Sequence, residues 1–147
     1  MDQGVSEIVE SYLNQYGWSF RSVDARRWLT GWQGMERYFP LQIVACDSWI
    51  TFCIKPLIDW HEKWENSREL AHFLLELNDQ CPMIKLHLDE AGDICLGLSV
   101  FAAHLDYENF YNAVGLLGYY ADYLFTEILN RILYLENQNH IATVYLT

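Results

Sequence analysis

Apolar positions in the stretch from Tyr107 to Glu136 fall at helical spacing on two faces. Phe110, Val114, Leu117, Ala121, Leu124, Ile128 and Ile132 step by three or four residues, which lines one stripe of an α-helix. Leu116, Tyr119, Tyr120 and Tyr123 fall beside or opposite that stripe. One stripe can cover a sheet in its own chain; a second calls for another layer, a ligand or another subunit. Asp106 is placed to cap the helix start. Asn137–His140 reads as a polar break, and Ile141–Leu146 as a short extra strand or a tail.

The same periodicity opens the chain. Val5, Ile8, Val9, Tyr12, Leu13 and Tyr16 predict an amphipathic helix, closed by Gly17 as a C-terminal cap. The pattern then changes. Trp18–Gly34 is aromatic and lacks a helical period, with one or two short strands expected, near Trp18–Val23 and near Trp28–Gln33. Tyr38–Cys46 and Trp49–Lys55 alternate around the turn residues Asp47 and Ser48, which predicts a hairpin, and Pro56 is expected to end its second strand. Both faces of this hairpin are partly apolar, as in a sheet covered on two sides. Asn66–Glu69 resembles a capping box ahead of a second helix with Leu70, Phe73, Leu74 and Leu77 on its buried stripe. Ile84–Asp89 and Ile94–Val100 make a second hairpin, with Gly92 supplying a positive φ in the link. The order α-βββ-α-ββ-α describes an α+β fold: an antiparallel sheet of about five strands with three helices, in a single domain spanning 1–147.

Composition narrows the partners. The chain has 147 residues, 52% of them hydrophobic, so a real core is within reach and disorder is excluded. Twenty acidic residues against nine basic ones leave a net charge of −11, which argues against nucleic acid and anionic membranes. Arg21, Arg26 and Arg27 are concentrated on this acidic chain. Salt bridges to flanking loops explain them more simply than an anion site. Cys46, Cys53, Cys81 and Cys95 are widely spaced and without a CxxC, as expected of reduced core thiols in a cytoplasmic protein. No apolar run is long enough to span a bilayer.

Catalytic signatures are missing. The histidines at 61, 72, 87, 104 and 140 form no HxxxH or HExxH, and they read as solvated surface residues. No GxGxxG, phosphate-binding loop or GxSxG occurs. The acidic run Asp89–Asp93 lacks the frame of a calcium loop and is explained by a hairpin turn. Neither a metal, a cofactor nor an enzymatic activity is expected.

The segments LLELNDQCPMIKLHLDEAGDICLGLSV and FYNAVGLLGYYADYLFTEI, the latter with Ala121-Asp122 near its middle, resemble the YbjN family, which shares the fold of type III secretion chaperones. The element order is similar across nearly the whole chain, and the aromatic richness is similar to that of cyanobacterial members. The resemblance implies an acidic, dimer-prone domain that binds protein without catalysis. The expected function is therefore a chaperone-like or regulatory module acting as a homodimer on an unknown protein client. Aromatic residues with a polar handle favour interfaces. Candidate contacts are Trp28, Trp32 and Trp49 on the sheet, with Tyr119, Tyr120 and Tyr123 on the helix. The alternative is a small-molecule binder with an aromatic-lined pocket between the long helix and the sheet.

Overall fold

The computed structural model describes residues 2–59 and 67–146. The first apolar stripe forms α1 (Asp2–Tyr16). Its last turn closes where Gly17, at φ 88°, lets the amides of Gly17 and Trp18 both reach the carbonyl of Leu13 at 3.1 Å. Four antiparallel strands follow in sequence: β1 (Arg21–Asp24), β2 (Arg27–Gln33), β3 (Tyr38–Ala45) and β4 (Trp49–Ile58). After α2 (Ser67–Gln80) come β5 (Lys85–Leu88), β6 (Ile94–Phe101), a 3₁₀ turn at Ala102–His104, and α3 (Tyr107–Leu146).

The sheet has six strands in the order β1-β2-β3-β4-β6-β5. Both short strands expected after α1 form, and they pair as a hairpin, which brings the sheet of about five strands to six. Pro56 does not end β4. It lacks an amide donor, so the ladder to β6 is interrupted after the Ile54–Leu96 pair and resumes at Ile58–Ile94. Gly92 does turn the β5–β6 link at φ 86°. The proposed capping box at Asn66 and the connector with Trp60 and Trp64 lie outside the described residues.

The C-terminal expectation is overturned. Neither a break at Asn137–His140 nor a strand at Ile141–Leu146 forms, and α3 runs unbroken to Leu146. Nothing from Tyr119 onward is proline or glycine, and polar residues within a helix do not stop it. Its start matches expectation: the Asn109 amide donates to Asp106 Oδ1 at 2.7 Å.

All three helices feed one core on one face of the sheet. Val9 and Leu13 of α1, Leu70, Leu74 and Leu77 of α2, and the α3 stripe from Phe110 to Ile132 share a cluster with Trp28, Leu41, Ile43, Phe52, Leu86, Leu96 and Leu98. Alternation sends Leu29, Gln42, Val44, Thr51, Cys53, His87, Cys95 and Ser99 to the other face. No described helix covers that face, so the expected two-sided cover is absent among the described residues. Its partly apolar character comes from the half-buried Leu29 and Val44 and from the buried thiols of Cys53 and Cys95.

Two small-residue contacts fix α3 on the sheet. The Trp32 ring lies where a Cβ at Gly118 would stand, and Asp122 Oδ1 accepts the Met35 amide at 2.9 Å beside Gly34. Ala121 is fully buried next to it. The Ala121-Asp122 pair thus docks the helix, with the small residue inward and the carboxylate holding the β2–β3 turn.

Candidate interaction surface

The uncovered face of the sheet has a charge of its own. The strands carry Arg21, Arg27, Lys55 and Lys85 against a single acid, Asp24. The helices carry the reverse: three acids in α1, three in α2 and four in α3, opposed only by Arg68 and Arg131. Register puts the four cations on the uncovered side, since Arg21 pairs with Leu29, Arg27 with Val44, and Lys85 with Gly97, while Lys55 lies two residues beyond Cys53. The helices are therefore acidic and the strands basic, while the turns between strands add Asp47, Asp89, Glu90 and Asp93. Net charge hides this division, but a tally of charge by element reveals it.

Aromatic surface sits at the β4–β6 end of the same face. Trp49 and Phe101 are cross-strand partners whose rings stack at 4.4 Å, and Trp49 keeps 44% of its surface exposed. At the β2–β3 end, the Tyr38 ring lies across Gly31, over a site that any side chain would obstruct. Thr51 and Ser99 bond through their hydroxyls at 2.9 Å between these aromatic ends.

The candidate contact residues do not form one surface. Trp28 is fully buried on the core face, where its Nε1–H donates to Glu10 Oε1 at 3.2 Å, so it offers no area to a partner. Trp32 is half-buried between Gly118 and Trp18, with its indole N–H unpaired. Trp49 faces outward on the uncovered sheet. Tyr119 (66% exposed) and Tyr123 (43%) lie on the solvent side of α3, and the half-buried Tyr120 ring meets Tyr119 edge-on. The exposed aromatics therefore fall on two separate surfaces, one on the sheet and one on α3. Phe101 was absent from the candidates because its pairing with Trp49 depends on β4 and β6 being neighbours, and these strands are not consecutive.

Arg26 of the basic cluster bridges Asp47 at 3.1 Å and takes the Asp24 carboxylate on its amide at 2.8 Å, the loop pairing expected from the sequence. A shallow concavity of about 390 Å³ lined by Asp24, Arg26, Arg27 and Val44 adjoins it. Between the β2–β3 turn and α3 lies a cleft of about 190 Å³ lined by Met35, Phe39, Asp122 and Phe125. This is below the ~300–1,000 Å³ of small-molecule sites. The space between α3 and the centre of the sheet is filled by the buried stripe itself.

A thiol cluster occupies the middle of the uncovered face. Cys53 Sγ lies 3.7 Å from His87 Nε2, and Cys95 Sγ lies 3.7 Å from Asp89 Oδ2. Four cysteines are free thiols, and only Cys46 among them is exposed. His87, expected to be solvated, is instead half-buried against Cys53. The thiol of Cys95 donating to Cys53, with His87 beside it and Lys55 nearby, holds the Cys53 thiol down, to about 6, against the opposing effect of burial. Bonding to Cys53, burial and the charge on Asp89 push Cys95 the other way. No group of His, Cys, Asp or Glu suited to a metal ion occurs among the described residues, and no described helix is long and apolar enough to cross a membrane.

A family model described as "YbjN: Putative bacterial sensory transduction regulator" matches residues 6–130. No curated protein matches the chain. Among solved structures, a chain of the ExsC–ExsE complex is similar at TM-score 0.61 and 16% identity, covering 86% of this chain and 94% of that one. A structure titled as YbjN from E. coli, "a putative transcription regulator", is similar at TM-score 0.56 and 18% identity, covering 91% of both chains. A chain of the HopA1–SchA chaperone–effector complex is similar at TM-score 0.57 and 14% identity, covering 82% of this chain and 91% of that one. The fold is that of the type III secretion chaperones.

Proposed function

This chain belongs to the YbjN family, and from that premise we propose that it is a non-enzymatic protein-binding domain, chaperone-like or regulatory, that works as a homodimer. The observation that carries the reading is the uncovered sheet face, which carries the stacked Trp49–Phe101 pair at one end and Arg27, Lys55 and Lys85 elsewhere on the same side. A client with an extended segment carrying apolar and acidic side chains suits that face: the aromatic pair supplies desolvated contact area and the cations supply steering. Similar folds in complexes named for a chaperone and its effector support the same reading. The dimer contact is assigned to the other exposed aromatic surface, Tyr119 and Tyr123 on α3, with Tyr120 beside them. On this reading, client and second subunit occupy opposite sides and do not compete.

Selection from a displayed peptide library tests the client surface. Peptides enriched on the wild type are expected to lose at least tenfold in affinity for Trp49→Ala/Phe101→Ala and to keep it for Tyr119→Ala/Tyr123→Ala. Retention by the first variant would remove the sheet face from the proposal.

A further inference from the structure

We propose that Cys53 is a hydroperoxide-reactive thiol, built into the uncovered sheet face by His87 of β5 and Cys95 of β6. The geometry depends on strands that are not consecutive in the chain. Cys53 on β4 stands opposite Gly97 on β6, and His87 on β5 stands opposite Cys95. For the imidazole to reach Cys53 it must pass over position 97. A small residue there keeps the path open: a Cβ at Gly97 would stand in contact with His87 Nε2 at 3.4 Å, and a larger side chain would displace the imidazole. Nε2 thus arrives 3.7 Å from Cys53 Sγ, as near as the Ile54 carbonyl at 3.7 Å and, in the tautomer protonated on Nδ1, the more basic of the two acceptors for the thiol proton.

The surrounding charges favour a thiolate at position 53. Lys55 lies on the same strand, and Lys85 borders Gly97 on β5. Asp89 Oδ2 lies 3.7 Å from Cys95 Sγ, where it shares with Cys53 the one proton of that thiol, and Glu90 is turned to Lys55 at 3.8 Å. Asp93 contributes its carbonyl to Cys95 at 3.7 Å. Asp89 and Glu90 are directed at the neighbouring thiol and lysine, while the imidazole faces the reacting sulfur. Such an electropositive setting activates a cysteine as a nucleophile. Cys53 is 8% exposed, so an oxidant that reaches its sulfur must be small.

The step is a two-electron transfer. The Cys53 sulfur attacks the terminal oxygen of the hydroperoxide, the S–O bond forms as the O–O bond breaks, and the leaving oxygen takes up the proton that left the thiol. Sulfur is oxidised to sulfenic acid, and the hydroperoxide is reduced to its alcohol, or to water when the oxidant is hydrogen peroxide.

Cys46 provides an internal comparison, because it is exposed and lacks these partners. With hydrogen peroxide at pH 7 acting on the intact, folded chain, then catalase and dimedone in denaturant so that access does not limit trapping, mass spectrometry is expected to find the adduct on Cys53 at least tenfold faster than on Cys46. His87→Gln and Gly97→Val should each slow Cys53 about tenfold while leaving Cys46 unchanged. Equal labelling, or labelling led by Cys46, overturns the proposal. A titration of thiolate absorbance at 240 nm in Cys46→Ser gives a check independent of access. One thiolate is expected to form below pH 7 and to disappear in Cys53→Ser; its appearance only above pH 8 also overturns the proposal.

Discussion

Trp28 and Trp49 are both strand tryptophans with opposite environments, and their side of the pleat is the cause. Trp28 pairs with Ile43 on the helix-covered face and is fully enclosed; Trp49 pairs with Phe101 on the uncovered one. Trp28→Ala should cost about 3–5 kcal/mol, as a large aromatic removed from a core does, and it leaves Glu10 without its indole partner. Trp49→Ala should cost about 1 kcal/mol, the scale of one surface aromatic pair. Urea melts of the two variants check the difference. Composition alone treats these residues alike. The alternation Trp28-Leu29-Thr30 was visible, but which side faced the helices was not, because β2 carries apolar residues in both registers. The Cys53–His87 contact was less legible still. It joins residues 34 apart through a β4–β6 adjacency that chain order does not reveal.

At the scale of elements, the edges of the sheet are treated differently. Asn78 at the end of α2 grips the outer edge of β5 with both ends of its amide, Nδ2 donating to the Leu86 carbonyl at 3.1 Å and Oδ1 accepting the Leu86 amide at 2.7 Å. A side chain thus occupies the place of a further strand, and the edge is closed to pairing with another chain. Asn78→Ala should lower stability by about 1 kcal/mol and accelerate exchange of the Leu86 amide at least tenfold. Hydrogen exchange resolved to single amides is the measurement. At the other edge, β1 is four residues long, exposed throughout and bulged between Ser22 and Asp24. The helices were legible where periodicity was long, as in α1 and α3, and so were both hairpins after Gly34. The C-terminal extension of α3 was misread because Asn and Gln suggested a break, although only proline or glycine would have enforced one.

The whole molecule is two layers of opposite character. Its α+β class followed from element order, since helices with single stripes need one sheet to cover. Which sheet face stayed bare did not follow, because half-buried Val44, Leu29 and Thr51 look no different in sequence from covered positions. The exposed tyrosines of α3 make the subunit contact testable at this scale. Light scattering after size exclusion is expected to give twice the chain mass for the wild type and the single-chain mass for Tyr119→Ala/Tyr120→Ala/Tyr123→Ala. A wild type that stays at single-chain mass across a dilution series would remove the dimer and leave the client surface standing alone.

The segregation of charge between helices and strands has a kinetic consequence. Over the last ~8 Å of approach, about one screening length at physiological salt, an acidic partner meets a field that differs with the direction of arrival. The acidic helices oppose its approach and the strand cations Arg21, Arg27, Lys55 and Lys85 favour it, so arrival over the sheet is the less hindered route. Productive encounters are thereby selected by orientation before any side chain touches, in a protein whose overall charge would repel the same partner at long range.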